Sequence, residues 1–200
     1  MNSIDTFNYY LRGFSVSSPF GEVRGNTTHR GVDLNKPGNT DLGLPIYSIT
    51  NGTVKRIGFE ANGAGHFIVI AEGKNESKYF HMKEKTPKKT GDQVVIGEAI
   101  GFIGTTGSST GPHLHLERWE NNQVIDPIPW LKKLLALAKA QVGTFKDVAK
   151  NAWYFADVEK ANKLGIMVGK TKDIFEPNTT VTRAELAVVA VRLYELLKEK

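Results

Sequence analysis

The segment Gly104-Thr105-Thr106-Gly107-Ser108-Ser109-Thr110-Gly111-Pro112-His113-Leu114-His115-Leu116-Glu117 runs from a glycine-rich loop into an alternating stretch. Side chains two apart on a strand share a face, so His113 and His115 can point into one site, with Glu117 on the same side. Two more imidazoles lie upstream. His29-Arg30-Gly31-Val32-Asp33 sets an imidazole and a carboxylate four residues apart, and His81 closes the strand-like run Tyr79-Phe80-His81-Met82.

Two neutral imidazoles and one carboxylate make a catalytic zinc set, with the fourth tetrahedral position left for water. Such a site also needs a group to take the proton of that water and one to stabilise a tetrahedral oxyanion. Four histidines and one aspartate supply three ligands and two spare imidazoles. Spacing alone does not say which histidines ligate, and two His with a carboxylate also describe non-haem iron centres. The fifth histidine, His66, follows a glycine turn and is expected at a strand end without a ligand role. Glu117 is either a partner that orients a ligand or a solvated strand carboxylate. Trp119 and Tyr47 are expected to pack.

Residues 20–130 read as all-β. Pro45–Ile49, Thr53–Gly58, Phe67–Glu72, Ser77–Met82, Ala99–Gly104 and His113–Trp119 are separated by turn signals such as Asn51-Gly52, Asn62-Gly63 and Glu72-Gly73. After Pro127 and Pro129 the period changes. Leu131, Leu134, Leu135 and Ala138 predict a connecting helix over Trp130–Val142 that ends at Gly143. Trp153–Leu164 and Arg183–Lys198 read as two further helices. Gly165 stops the first, and Thr182-Arg183-Ala184-Glu185 forms a capping box that starts the second.

The chain has 200 residues, of ordinary globular composition, and no cysteine, which excludes disulfides, thiolate zinc sites and a cysteine nucleophile. No run approaches the roughly 18 apolar residues of a membrane-spanning helix. Met1-Asn2-Ser3-Ile4-Asp5 lacks the basic start and apolar core of a secretory signal. Residues 1–130 carry 13 basic and 13 acidic side chains, and residues 131–200 carry 13 and 8, so the net +5 sits in the last third. That segment attracts a polyanion. Nucleic acid is not the expected one, because the excess is small and no aromatic platform is interleaved with it.

The motifs of residues 18–130 resemble the lysostaphin/LytM-type zinc metallopeptidases, which are peptidoglycan endopeptidases. Ser18-Pro19-Phe20-Gly21 with Arg24 and His29-Arg30-Gly31-Val32-Asp33-Leu34 match the first motif, Tyr79-Phe80-His81-Met82 a middle one, and the segment 104–117 the last. The resemblance implies that His29, Asp33 and His115 are zinc ligands and that His81 and His113 are non-ligand catalytic histidines, one activating the zinc-bound water and the other helping to hold the oxyanion, with His113 the expected base. It implies hydrolysis of a peptide bond in the stem or cross-bridge of peptidoglycan. Residues 145–196 resemble an S-layer homology module through Phe145-Lys146-Asp147-Val148, Leu164-Gly165-Ile166-Met167-Val168-Gly169, Phe175-Glu176-Pro177-Asn178 and Val181-Thr182-Arg183-Ala184-Glu185. This implies binding of an acidic, pyruvate-bearing wall polymer, with Trp153 and Arg183 as candidate contacts. Such modules usually come in threes, so a single copy raises the expectation of a homotrimer.

The expected architecture is α+β and multidomain. A mainly antiparallel β peptidase domain spans 1–130, a helical linker 131–144 and an all-α wall-binding module 145–200. The expected setting is a phage endolysin that gathers in the host cytoplasm and then reaches the wall; a wall autolysin whose signal was trimmed would read the same. The alternative is a non-catalytic wall-binding or virion structural protein on the same fold.

Overall fold

Alternation along the middle of the chain produces one antiparallel sheet. In the computed structural model its strands are β1 (Ser15–Ser18), β4 (Val32–Asn35), β6 (Gly52–Glu60), β7 (Gly65–Glu72), β8 (Asn75–Met82), β9 (Gln93–Val94), β11 (Leu114–Glu120) and β12 (Gln123–Ile125). They are ordered β1-β4-β11-β8-β7-β6-β9, with β12 on the free part of β11. β2 (Val23–Arg24) and β3 (Thr27–Thr28) form a small hairpin, and β5 (Pro45–Tyr47) pairs with β10 (Ala99–Phe102). Residues 1–141 and 143–198 are described. Val142, the expected end of the connecting helix, and Glu199 and Lys200 of the expected C-terminal module lie outside them. The fold is α+β, as expected.

The chain divides into two units, Met1–Ala138 and Lys139–Lys200. In the first, one face of the sheet forms the main core. Leu114, Leu116, Tyr79, Ile68, Ile70 and Val54 are buried there with Phe7 and Tyr10 of α1 (Ser3–Gly13) and Leu131 of α2 (Pro127–Gln141). Each such large apolar side chain contributes about 1.5–3 kcal/mol on burial. The connecting helix starts three residues earlier than its periodicity predicts, and Leu131 is fully buried in this core. Arg118 ends the same face, with its guanidinium over the Trp130 ring at 4.2 Å and bonded to Ser77 and Glu72 at 3.1 Å. The opposite face carries a smaller cluster of Phe67, Val69 and Ala64 with Phe80. This is why β7 is buried on both sides and lacks clean alternation.

The second unit holds α3 (Phe155–Lys163) and α4 (Arg183–Lys198). Its core is Phe145, Val148 and Val158, flanked by Tyr154, Phe155 and Phe175. The Asp147 carboxylate accepts hydrogen bonds from the backbone N–H of Phe175 (2.9 Å) and Glu176 (2.7 Å), which ties the start of the module to the segment between α3 and α4. The capping box forms as expected: Thr182 Oγ1 accepts from Glu185 N (3.2 Å) and Glu185 Oε2 from Thr182 N (2.8 Å). None of α4 is buried within the unit, and Leu186, Val191 and Leu197 are exposed. Helix α3 starts two residues later than expected, which leaves Trp153 outside it and 88% exposed. Trp153 does not pack between the helices. No helix of the described residues is long and apolar enough to cross a membrane.

Candidate metal centre and active site

His29, Asp33 and His115 come from three places that the sheet joins. β4 and β11 are adjacent, and their register pairs Asp33 with His115. His29 sits just before β4, and Gly31 lets that turn lie flat on β11: a Cβ at Gly31 would stand 2.5 Å from Leu116 O and 2.7 Å from His115 Nε2. His115 Nδ1 is 2.8 Å from Asp33 Oδ1 and 3.0 Å from His29 Nε2, and His29 Nε2 is 3.2 Å from Asp33 Oδ1. All three residues are buried. A tetrahedral zinc ion with bonds of about 2.0–2.1 Å has ligand–ligand edges of about 3.3 Å. The three donor atoms therefore fit one face of a zinc tetrahedron with little adjustment, and they form the single group of this kind among the described residues.

Each ligand is held from behind. His29 Nδ1 meets Pro19 O at 2.9 Å and Ser18 Oγ at 3.2 Å. Arg24 binds Ser18 Oγ and donates to Asp33 Oδ2 at 3.0 Å, which keeps that oxygen occupied while Oδ1 faces the other two ligands. His115 Nε2 lies 3.5 Å from Glu117 Oε1. Burial raises the Asp33 carboxyl, but the hydrogen bond and charge of His115 outweigh it and hold the group well below the usual carboxylate range. Glu117 is 2% exposed. Burial opposes its charge, while His115, the indole N–H of Trp119 (2.6 Å) and Lys78 sustain it and lower its pKa.

His81 and His113 flank this group. Their rings are 4.7 Å apart, and His113 Nε2 is 3.7 Å from Asp33 Oδ1. His81 takes a left-handed backbone, φ 56, which costs a non-glycine residue energy and is typical of sites that aim a side chain. His113 precedes β11 rather than lying on it and is bridged to Gly104. The Nδ1 of His81 meets Thr106 O at 2.8 Å, and that of His113 meets Gly111 O at 2.8 Å. A carbonyl only accepts, so each Nδ1 carries the proton and each neutral ring keeps its Nε2 as a lone pair. Burial pushes the His81 imidazole down to about 4. The glycine-rich loop thus supplies the carbonyls that fix both tautomers.

Residues 27–127 match peptidase family M23, and residues 144–187 match the S-layer homology domain. The chain belongs to peptidase family M23. Lysostaphin of Staphylococcus simulans is 32% identical over 187 residues, covering 90% of this chain and 35% of lysostaphin. Glycyl-glycine endopeptidase ALE-1 of Staphylococcus capitis is also 32% identical over 187 residues, covering 90% of this chain and 47% of its own. The chain therefore spans about a third to a half of the length of these relatives. The solved catalytic domain of the S. simulans lysostaphin covers 62% of this chain and 96% of that domain, at 31% identity and a TM-score of 0.54. A zinc-containing peptidase of Vibrio cholerae covers 58% of this chain and 37% of its own, at 30% identity and a TM-score of 0.52.

Within the M23 domain the structure brings together all five residues that the sequence singles out. It also places Glu117, inward and buried, against His115. The signal was its position two residues past His115 on an alternating strand. Arg24 was visible only as part of a motif, and nothing in its spacing announces the bond to Asp33. His66 stacks on Phe59 at 4.6 Å, away from the metal group. Trp119 packs under Lys78, and the Tyr47 ring packs edge-on against Tyr9 with centres 5.1 Å apart, as expected of both. In the S-layer homology module Trp153 and Arg183 are both exposed, and among the described residues no carboxylate lies within 4 Å of Arg183.

Proposed function

We propose that the protein is a zinc-dependent endopeptidase that hydrolyses peptide bonds of bacterial peptidoglycan, held at the wall by its C-terminal module. The observation that carries this reading is the convergence of His29 Nε2, Asp33 Oδ1 and His115 Nδ1 with two further histidines that present Nε2 lone pairs. Zinc held by the three ligands supplies Lewis acidity, which polarises a peptide carbonyl and acidifies water. His113 takes the proton from the attacking water, and Asp33, 3.7 Å away, stabilises the imidazolium that results. His81 has no Nε2 hydrogen to give an oxyanion while its ring is neutral, so its lone pair suits a second proton transfer, on the way to the leaving amine. The two fixed Nδ1–H bonds keep both rings aimed without reorganisation.

The net positive charge of the last third, the exposed Trp153 and the exposed Arg183 at the start of α4 support binding of an acidic, pyruvylated wall polymer. The bare apolar face of α4 supports assembly through this module as a homotrimer; a monomer mass by sedimentation would remove that part. A phage endolysin is the setting we propose for a lytic domain joined to a wall-binding module.

The test is digestion of purified sacculi with and without a chelator, reading new amino ends against new reducing sugar ends. Amino ends that vanish on chelation and return with zinc establish the activity. No release from sacculi of several cross-link types, by protein shown to hold zinc, leaves a wall-binding protein on a peptidase fold.

A further inference from the structure

The face of the sheet that carries the metal ligands continues as a groove. Strand register pairs Glu117 with Lys78, Lys78 with Val69 and Val69 with Arg56, a row across β11, β8, β7 and β6. Phe80, opposite His115, and Phe67 form its aromatic floor. Four cations line the groove, Arg24, Arg30, Arg56 and Lys78, against the carboxylates Glu60 and Glu117.

Two of the cations are already committed. Arg24 binds Asp33 and Glu22, and Lys78 lies between Glu117 and Glu76 at 3.6 and 3.7 Å. Glu117 is buried and shared by Lys78, His115 and Trp119, so little of its charge is left for the groove. The other two are open. Arg30 is 61% exposed, lies 5.5 Å from the Trp119 ring centre, and approaches a carboxylate only through Nε, 3.8 Å from Glu117. The Arg56 guanidinium lies 4.9 Å from the Phe67 ring centre, and among the described residues no carboxylate is within 4 Å of it. Glu60 is four residues along the same strand, about 13 Å at 3.3 Å per residue, too far to neutralise it. A guanidinium resting on an aromatic ring keeps N–H donors for a carboxylate.

We propose that Arg30 and Arg56 are specificity-determining residues that bind free carboxylates of the peptide substrate. They select cross-links that carry such carboxylates near the scissile bond over uncharged cross-bridges such as a glycine peptide. Arg30 directly follows the ligand His29, so it reads the residue next to the cut. Arg56 lies three strands and two residues from His115, about 16 Å at 4.8 Å per strand and 3.3 Å per residue, and reads a carboxylate some five extended residues away. This inference rests on the endopeptidase reading above.

The experiment uses the full chain loaded with zinc and three cross-linked peptide substrates. One is a diaminopimelate dimer with its free carboxylate, one the same dimer with that carboxylate as a carboxamide, and one a glycine-bridged dimer. The expected kcat/KM for the carboxylate dimer exceeds that for the carboxamide by about tenfold, one charge-assisted contact in a wet groove. Arg30→Gln brings the ratio close to one at unchanged zinc content, Arg30→Lys keeps part of it, and added salt shrinks it. Equal rates on the first two dimers, faster cutting of the glycine bridge, or a preference that survives in the Arg30→Gln/Arg56→Gln double variant overturns the proposal and leaves the endopeptidase reading standing. No new amino ends from any of the three rejects that reading, and the proposal with it. If Arg30→Gln loses zinc, the three substrates on the unaltered protein and on Arg56→Gln decide the matter.

Discussion

Glu117 shows how much of this centre is built by residues that never touch a substrate. Its carboxylate is buried, faces His115 Nε2 and is itself held by Trp119 and Lys78. A carboxylate behind a ligating imidazole fixes its tautomer and raises its basicity, and losing one typically costs 10–100-fold in metal affinity. Glu117→Gln keeps the size and the Trp119 bond but removes the charge. It is expected to weaken zinc binding by about that factor in competition with a chromophoric chelator, with the far-ultraviolet circular dichroism unchanged. Affinity equal to that of the unaltered protein would make Glu117 a packing residue.

At the scale of elements, the closest approach in the centre is made by a residue without a side chain. Gly31 lets the turn between His29 and Asp33 lie against β11, where a Cβ would meet Leu116 O at 2.5 Å. Backbone cannot give way as a side chain can. Gly31→Ala is therefore expected to cost about 1–3 kcal/mol in denaturant unfolding, the range for overpacking, and to lower zinc affinity because the turn carries two of the three ligands. The pattern His-x-Gly-x-Asp was legible in the sequence, and so were the four long strands β6, β7, β8 and β11 and the shorter β5 and β10, because alternation and turn residues are local signals. α1 was not read, although Asn2 caps it by accepting from Asp5 N and Phe7 and Tyr10 bury one side of it. Three turns with only Thr6, Phe7 and Tyr10 buried give a weak signal beside a β-rich stretch, and what holds α1 is long-range, including the bond from Tyr10 OH to Tyr47 O. The bond from Arg24 to Asp33 was hidden for the same reason, since it depends on what the fold brings opposite it, whereas the inward turn of Glu117 followed from its place two residues past His115 on an alternating strand.

At the scale of the whole molecule, two cores of unequal strength sit in one chain. Among the described residues, the first unit buries seventeen apolar residues in its main cluster and the second buries three. Burial on that smaller scale stabilises a unit only marginally. Metal adds to the contrast, because the three proposed ligands all belong to the first unit. Anything that binds only the folded state stabilises it by RT ln(1 + [L]/Kd), about 2.7 kcal/mol at a hundredfold excess over Kd. Differential scanning calorimetry is therefore expected to resolve two transitions, a weak one at lower temperature and a larger one at higher temperature. A chelator should lower only the larger, and the smaller should rise with protein concentration if α4 is covered by further copies of the chain. A single transition that moves as a whole when zinc is removed would mean that the two units fold as one cooperative body, and that the wall module draws its stability from the peptidase domain rather than from its own core.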